Sequence, residues 1–277
     1  MRRSPRPRTR GRSRRRPPPS RALLLASLLL FALPAEGGAQ EDSEAIQELL
    51  DYSLVENVLD GRADAFLTEL RELLGPDVDF ASGRVERIVR EEFASDRIRG
   101  YVAEQLKVNS LPAELEEAAA LLRGGAIGRV SDLVARYDPP ESFEAFVAGL
   151  RNSPPAQERV QLLAEFTDAQ QAASLYLLLD ETVRRGAHRV ASVMTGGGSP
   201  PYAELDPAAV RERLQRGRQL AVLSYLHRFR PVEAELLASA TADYRTSRGR
   251  WFVEAYSLAL AESIQLAGLR VAGRLSE

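Results

Sequence analysis

The sequence predicts an all-α fold, a helical bundle or array containing two duplicated helical units. Three observations carry this expectation. Apolar residues recur every three or four positions through most of the chain after residue 42, the period of a helix with one buried face. Few stretches alternate with period two, and Val, Ile and Thr do not cluster into strand-like runs. A helix–break–helix pattern at residues 231–277 has a fainter copy 121 positions earlier, around Leu111–Tyr137. Repetition at a fixed interval is the sequence mark of repeated helical units.

The first 39 residues read as an export signal rather than as part of the fold. Residues 2–21 hold ten arginines among several prolines, and Ala22–Leu33 is a short apolar run ended by Pro34. A membrane-spanning helix needs about 20 apolar residues, so this run is too short to span comfortably. Gly37-Gly38-Ala39 presents the small residues that a signal peptidase reads, with cleavage expected after Ala39. Arg14-Arg15 invites a twin-arginine reading, but Pro17–Pro19 stand where apolar residues should follow. The expected location is the periplasm or the extracellular space. Removing residues 1–39 takes away ten arginines and Glu36, so 37 basic and 39 acidic residues become 27 and 38, a net charge of −11. That balance argues against unaided binding to nucleic acid or anionic membranes. There is no cysteine, hence no disulfide, no thiol nucleophile and no lipoprotein anchor, and stability must come from apolar helix packing.

The remaining 238 residues divide into two expected units, 40–150 and 151–277, packed together. A first helix is expected over Ser43–Leu59 and a second over Ala63–Leu74, closed by Gly75-Pro76. Phe80–Gly83 reads as a linker, and Arg84–Val108 as one or two helices. Glu91 and Glu92 read as a solvated face, because adjacent residues do not share one side of a helix. Asp138-Pro139-Pro140 and Asn152-Ser153-Pro154-Pro155 bracket a short helix, Phe143–Leu150. Ala156–Val193 reads as one long helical stretch that Gly186 bends or ends. Thr195–Pro201 is a glycine-rich loop without the lysine of a phosphate-binding loop. Asp206-Pro207 opens the next helix as cap and first residue, and that helix runs to about Phe229.

The C-terminal hairpin is the most informative stretch. Pro231 fits a first helical turn, and Leu236, Leu237, Ala240 and Tyr244 follow at helical spacing. Thr246-Ser247-Arg248-Gly249 interrupts, with hydroxyls to cap and a glycine to relax the backbone. Trp251, Phe252, Ala255, Tyr256, Ala259, Ile264, Ala267 and Val271 then supply the apolar side of a long helix. In the earlier copy Leu115 falls opposite Leu236, Gly128 opposite Gly249 and Arg129 opposite Arg250.

The run Asp243-Tyr244-Arg245-Thr246-Ser247-Arg248-Gly249-Arg250 resembles a motif of a family of bacterial exported all-helical proteins of unknown function. In that family an aromatic pair is followed by a variable residue, Ser-Pro, another residue and Gly. Here Asp243 stands at the first aromatic position and Thr246-Ser247 replaces Ser-Pro, while the earlier copy keeps Gly128 and its apolar neighbours. The resemblance implies an exported helical domain and carries no catalytic residues across.

Few residues point to chemistry. The two histidines, His188 and His227, lack the His-Glu-x-x-His arrangement and the neighbouring ligands of a zinc site. His188 sits among Arg184, Arg185 and Arg189, a basic surface that could meet an acidic group. Ser199, His227 and Asp243 would form a hydrolase triad only by conjecture, and Glu254 and Glu262 are candidate paired carboxylates on one helix. No nucleotide, haem or metal is implied, and no nucleic-acid partner. The favoured function is a noncatalytic envelope protein that binds a protein, peptide or apolar, lipid-like ligand between helices. Tyr244, Trp251, Phe252 and Tyr256 are its expected contact residues. The alternatives are an envelope hydrolase and a membrane-associated structural factor.

Overall fold

The computed structural model describes residues 38–52, 61–75 and 83–277. Among the described residues every regular element is a helix, and there is no strand. In chain order the helices are α1 (Gly38–Tyr52), α2 (Arg62–Leu74), α3 (Arg84–Glu92), α4 (Ser95–Asn109), α5 (Pro112–Gly124), α6 (Ala126–Ala135), α7 (Phe143–Gly149), α8 (Gln157–Ala169), α9 (Ala172–Met194), α10 (Pro207–Arg228), α11 (Ala234–Arg245) and α12 (Ser247–Ser276). The end of the expected first helix, residues 53–59, lies outside the described residues. So do most of the expected linker at residues 80–83 and the export signal up to residue 37.

The 30-residue helix α12 is the spine. At 1.5 Å per residue it is about 45 Å long, enough to pack against α3, α4 and α5 from the first half and α9 and α11 from the second. Its small residues make this contact close. A Cβ added to Gly186 of α9 would lie 3.8 Å from Gly268 Cα of α12 and 3.0 Å from Phe66 Cε2 of α2. Two glycines thus let α9 and α12 cross closely, and the fully buried Phe66 fills the adjoining space against Phe93 at 4.9 Å. Gly186 therefore does not end α9, which runs on to Met194.

Local chemistry explains several helix boundaries. Asp206 caps α10, its Oδ1 accepting from Ala208 N and Ala209 N with Pro207 as the first helical residue. The stretch expected as one helix over Ala156–Val193 is two. α8 ends at Ala169, and Gln171 adopts φ 52° before α9 begins. A non-glycine residue in the left-handed region breaks the helical register outright. Pro231 lies outside a helix, because Glu233 is the extended cap residue and α11 starts at Ala234.

Glu92 departs most from its sequence reading. It is only 2 % exposed. Its Oε1 accepts from Arg97 Nη1 at 2.6 Å and from Arg274 Nη1 at 2.9 Å, and Arg274 Nη2 also donates to Glu91 at 2.7 Å. The two carboxylates diverge along α3, but one forked guanidinium from the end of α12 reaches both. Burial alone raises the Glu92 carboxyl. Hydrogen bonds from Arg97 and Arg274, with their charges, outweigh it and hold the group below its ordinary range.

Candidate functional site: an interhelical cavity

The α11–α12 and α5–α6 hairpins share one device at the 121-residue offset. A single extended residue separates the helices of each pair: Thr246 (φ −66°, ψ 165°) and Gly125 (φ −89°, ψ 179°). Thr246 caps α12, its Oγ1 accepting from Gly249 N at 3.0 Å. Gly125 has no side chain to cap α6, and Asp243 of the other hairpin supplies the acceptor, its Oδ2 taking a bond from Ala126 N at 2.9 Å. Gly249 is required for proximity rather than for its own backbone angles. A Cβ there would lie 2.2 Å from Asp243 O and 2.6 Å from Tyr244 Cα. This tight turn places Tyr244, at the end of α11, beside Phe252 and Tyr256, one turn apart on α12.

These three aromatic residues line a cavity of about 120 Å³ bounded by α6, α9, α10, α11 and α12. Leu175 and Ala172 of α9, Val253 of α12 and Phe229 after α10 supply much of the remaining apolar wall. Phe166 of α8 packs behind it, edge-on to Tyr225, Phe229 and Tyr244 at 5.5–5.6 Å. Gln170 is one of the interior polar groups, and its Oε1 accepts from Tyr225 Oη at 2.5 Å. Burial pushes the Tyr225 phenol well above its ordinary range. Burial also pushes Tyr244 up to about 12, partly offset by its hydrogen bond with Gln170. Both phenols therefore stay neutral at physiological pH, and the inner wall presents aromatic faces with a satisfied polar pair. Half-buried Tyr176, Ser224, Arg228 and Ser257 also line it.

Of the four expected contact residues, the cavity brings together Tyr244, Phe252 and Tyr256. Trp251 lies elsewhere, in a groove with Glu114, Ala118 and Arg248. Successive helical residues point about 100° apart, and the step back from Phe252 to Trp251 turns toward α5 and away from the cavity wall that Phe252 and Val253 share. Gln170, Tyr176 and Tyr225 were not legible as site residues.

The residues considered for chemistry are committed separately. His227 Nε2 lies 2.9 Å from the Glu141 carbonyl, and its ring packs on Phe143 and Phe146. Asp243 accepts from Ala126 N, and His188 Nδ1 lies 3.3 Å from Pro200 O, with its ring edge-on to Tyr202. Arg184, beside His188, pairs with Glu69 and Glu181. Glu262 accepts from Asn109 Nδ2 at 3.0 Å. Among the described residues no group of three or more His, Asp or Glu side chains is placed to hold a metal ion, and no helix is long and apolar enough to cross a membrane. No protein-family model matches the chain, and neither a curated protein nor a solved structure matches it.

Proposed function

We propose that the chain is an exported, noncatalytic helical protein of the bacterial envelope that holds a small apolar ligand between its C-terminal helices. The observation that carries this reading is the aromatic-walled cavity of about 120 Å³ under Tyr244, Phe252 and Tyr256. Native interiors contain few voids larger than a water molecule, whereas an apolar cavity of about 150 Å³ in another protein binds benzene. Export rests on the basic–apolar–small pattern of residues 2–39, and kinship with the exported helical family on Tyr244–Gly249. The hydrolase alternative draws no support from His227 or Asp243, each of which is tied to a backbone group.

Thermal unfolding of the full chain with benzene or toluene tests the binding reading. A ligand that binds only the folded state raises Tm in a saturable way. The shift is expected in the native sequence and is expected to vanish in Val253→Phe, which fills the cavity from α12. No shift in the native sequence, or equal shifts in both, would refute the cavity as the site. Export is checked by N-terminal sequencing of protein recovered outside the cytoplasm, with Gln40 expected as the first residue.

A further inference from the structure

Part of the cavity wall is a hydrogen-bond chain with a direction. Tyr225, Gln170 and Tyr244 all line the space. Tyr225 Oη donates to Gln170 Oε1 at 2.5 Å, which leaves the carboxamide NH2 as the end that serves Tyr244. The Gln170 bond acts on Tyr244 against burial, in favour of the ionised phenol. A donor to the phenolic oxygen acts in that sense. Tyr244 is therefore the acceptor in this bond, and its own hydrogen is not consumed by it. Among the described residues the chain runs from Tyr225 through Gln170 and ends on the Tyr244 O–H.

The side chain that carries this hydrogen is held in place. Tyr244 is only 5 % exposed. Its ring stands edge-on to Phe166 at 5.6 Å, and its backbone is pinned under Gly249 by the tight turn between α11 and α12. A buried donor without an acceptor costs the desolvation of the group, and an oxygen held inside the cavity would offset that cost. Burial keeps both phenols neutral, so the chain offers a donor and no charge. Ala172, Leu175, Phe252 and Val253 supply an apolar wall that disfavours a charged body. The volume of about 120 Å³ suits a body of about one six-membered ring.

We propose that the ligand is a small uncharged ring compound of the cyclic ketone class, whose one oxygen accepts the Tyr244 O–H while its ring packs on Phe252 and Leu175. The proposal rests on the cavity reading above and adds the polar group to it. Tyr244 is then a binding residue, and Tyr225 and Gln170 are positioning residues that keep its hydrogen free for the ligand. A site built to hydrogen-bond one oxygen discriminates against the analogue that lacks it.

Isothermal titration of the full chain with cyclohexanone and methylenecyclohexane tests it, since the two differ only in the exchange of the oxygen for CH2. Each ligand is compared with itself across variants, so the stronger hydration of the ketone cancels. Cyclohexanone is expected to bind Tyr244→Phe about three- to tenfold less tightly than the native chain, the effect of one neutral hydrogen bond. Methylenecyclohexane is expected to bind both equally, which also reports that the variant keeps its cavity. The carbonyl stretch of isotope-labelled cyclohexanone bound to the native chain, which needs no variant, is expected at lower frequency than in a hydrocarbon solvent. An unshifted band, or equal changes for the two ligands in Tyr244→Phe, would overturn the oxygen assignment and leave the cavity reading standing. A loss confined to the ketone in Tyr225→Phe and absent in Tyr244→Phe would make Tyr225 the donor and overturn the direction of the chain. Tighter binding of cyclohexanecarboxylate than of cyclohexanone would overturn the uncharged class. Failure of all three probes to bind the native chain would defeat the cavity reading itself.

Discussion

Replacing Gly249 by alanine should reverse the usual sign of a glycine-to-alanine change in a helix. Within an open helical segment the substitution stabilises by about 0.5–1 kcal/mol, because alanine has less backbone freedom to lose. Gly249 lies inside α12, yet its added Cβ would sit 2.2 Å from Asp243 O, 2.6 Å from Tyr244 Cα and 2.8 Å from Tyr244 C. Carbon contacts are favourable only near 3.5–4.0 Å, and all three obstacles are backbone atoms that cannot rotate away. The hairpin must open instead, loosening the Thr246 cap and the seat of Tyr244. Overpacking typically costs about 1–3 kcal/mol, and the rigidity of these neighbours puts the expected loss near 3 kcal/mol or above. In a folded region of this size each kcal/mol moves Tm by about 2–4 °C, so a fall of about 6–12 °C is expected. Gly273, in the same helix, provides the control, since an added Cβ there meets nothing within 4 Å. Denaturant melts of Gly249→Ala, Gly273→Ala and the native chain should show a large loss for the first and a slight gain for the second. A neutral or stabilising Gly249→Ala would refute the close-approach account of the hairpin, and with it the placement of Tyr244 against the cavity.

Two further substitutions test the links between distant parts of the chain. Asp243→Ala removes the acceptor that Gly125 cannot provide for Ala126 N and should cost about 1 kcal/mol in a denaturant melt, with Asp243→Asn retaining part of it. Full stability in Asp243→Ala would mean that the cap across the two hairpins contributes nothing. Glu92→Gln should cost about 1–3 kcal/mol at neutral pH, toward the lower end because Arg97 and Arg274 keep solvent contact. The folded-state pKa of Glu92 lies below the unfolded value of about 4.3. Its contribution is therefore complete above that value and is lost as pH falls through the folded one. Melts between about pH 7 and pH 3 should show a shallower acid loss for Glu92→Gln than for the native chain, and parallel curves would contradict the assignment.

The helical class and many boundaries were legible because their causes are local. Asp206-Pro207 and Thr246 act through backbone groups two or three residues away, and the apolar period needs no tertiary information. The duplicated break was legible for the same reason, and Gly125 and Thr246 do occupy equivalent extended positions. What escaped reading depends on distant partners. Glu92 looks like a surface carboxylate until Arg274, 182 residues later, arrives beside it. Gln170 looks like an ordinary helical residue until Tyr225, 55 positions on, donates to it. The left-handed turn at Gln171 has no glycine or asparagine to announce it. At the cavity, Tyr244, Phe252 and Tyr256 were identifiable as aromatic residues around one hairpin. The sequence could not say which side of α12 would be enclosed, and so Trp251 was grouped with them although it faces α5.

The central claim is that the chamber among Tyr225, Tyr244 and Phe252 is a ligand site. Crystals of the protein exposed to iodobenzene test it most directly, because the anomalous signal of iodine locates the bound ring without reference to any assumed pose. The account predicts one dominant peak inside the cavity, against Phe252 and Leu175, that disappears in Val253→Phe. Iodine found only on exposed apolar side chains such as Leu258 or Val108, with none in the cavity, would contradict it.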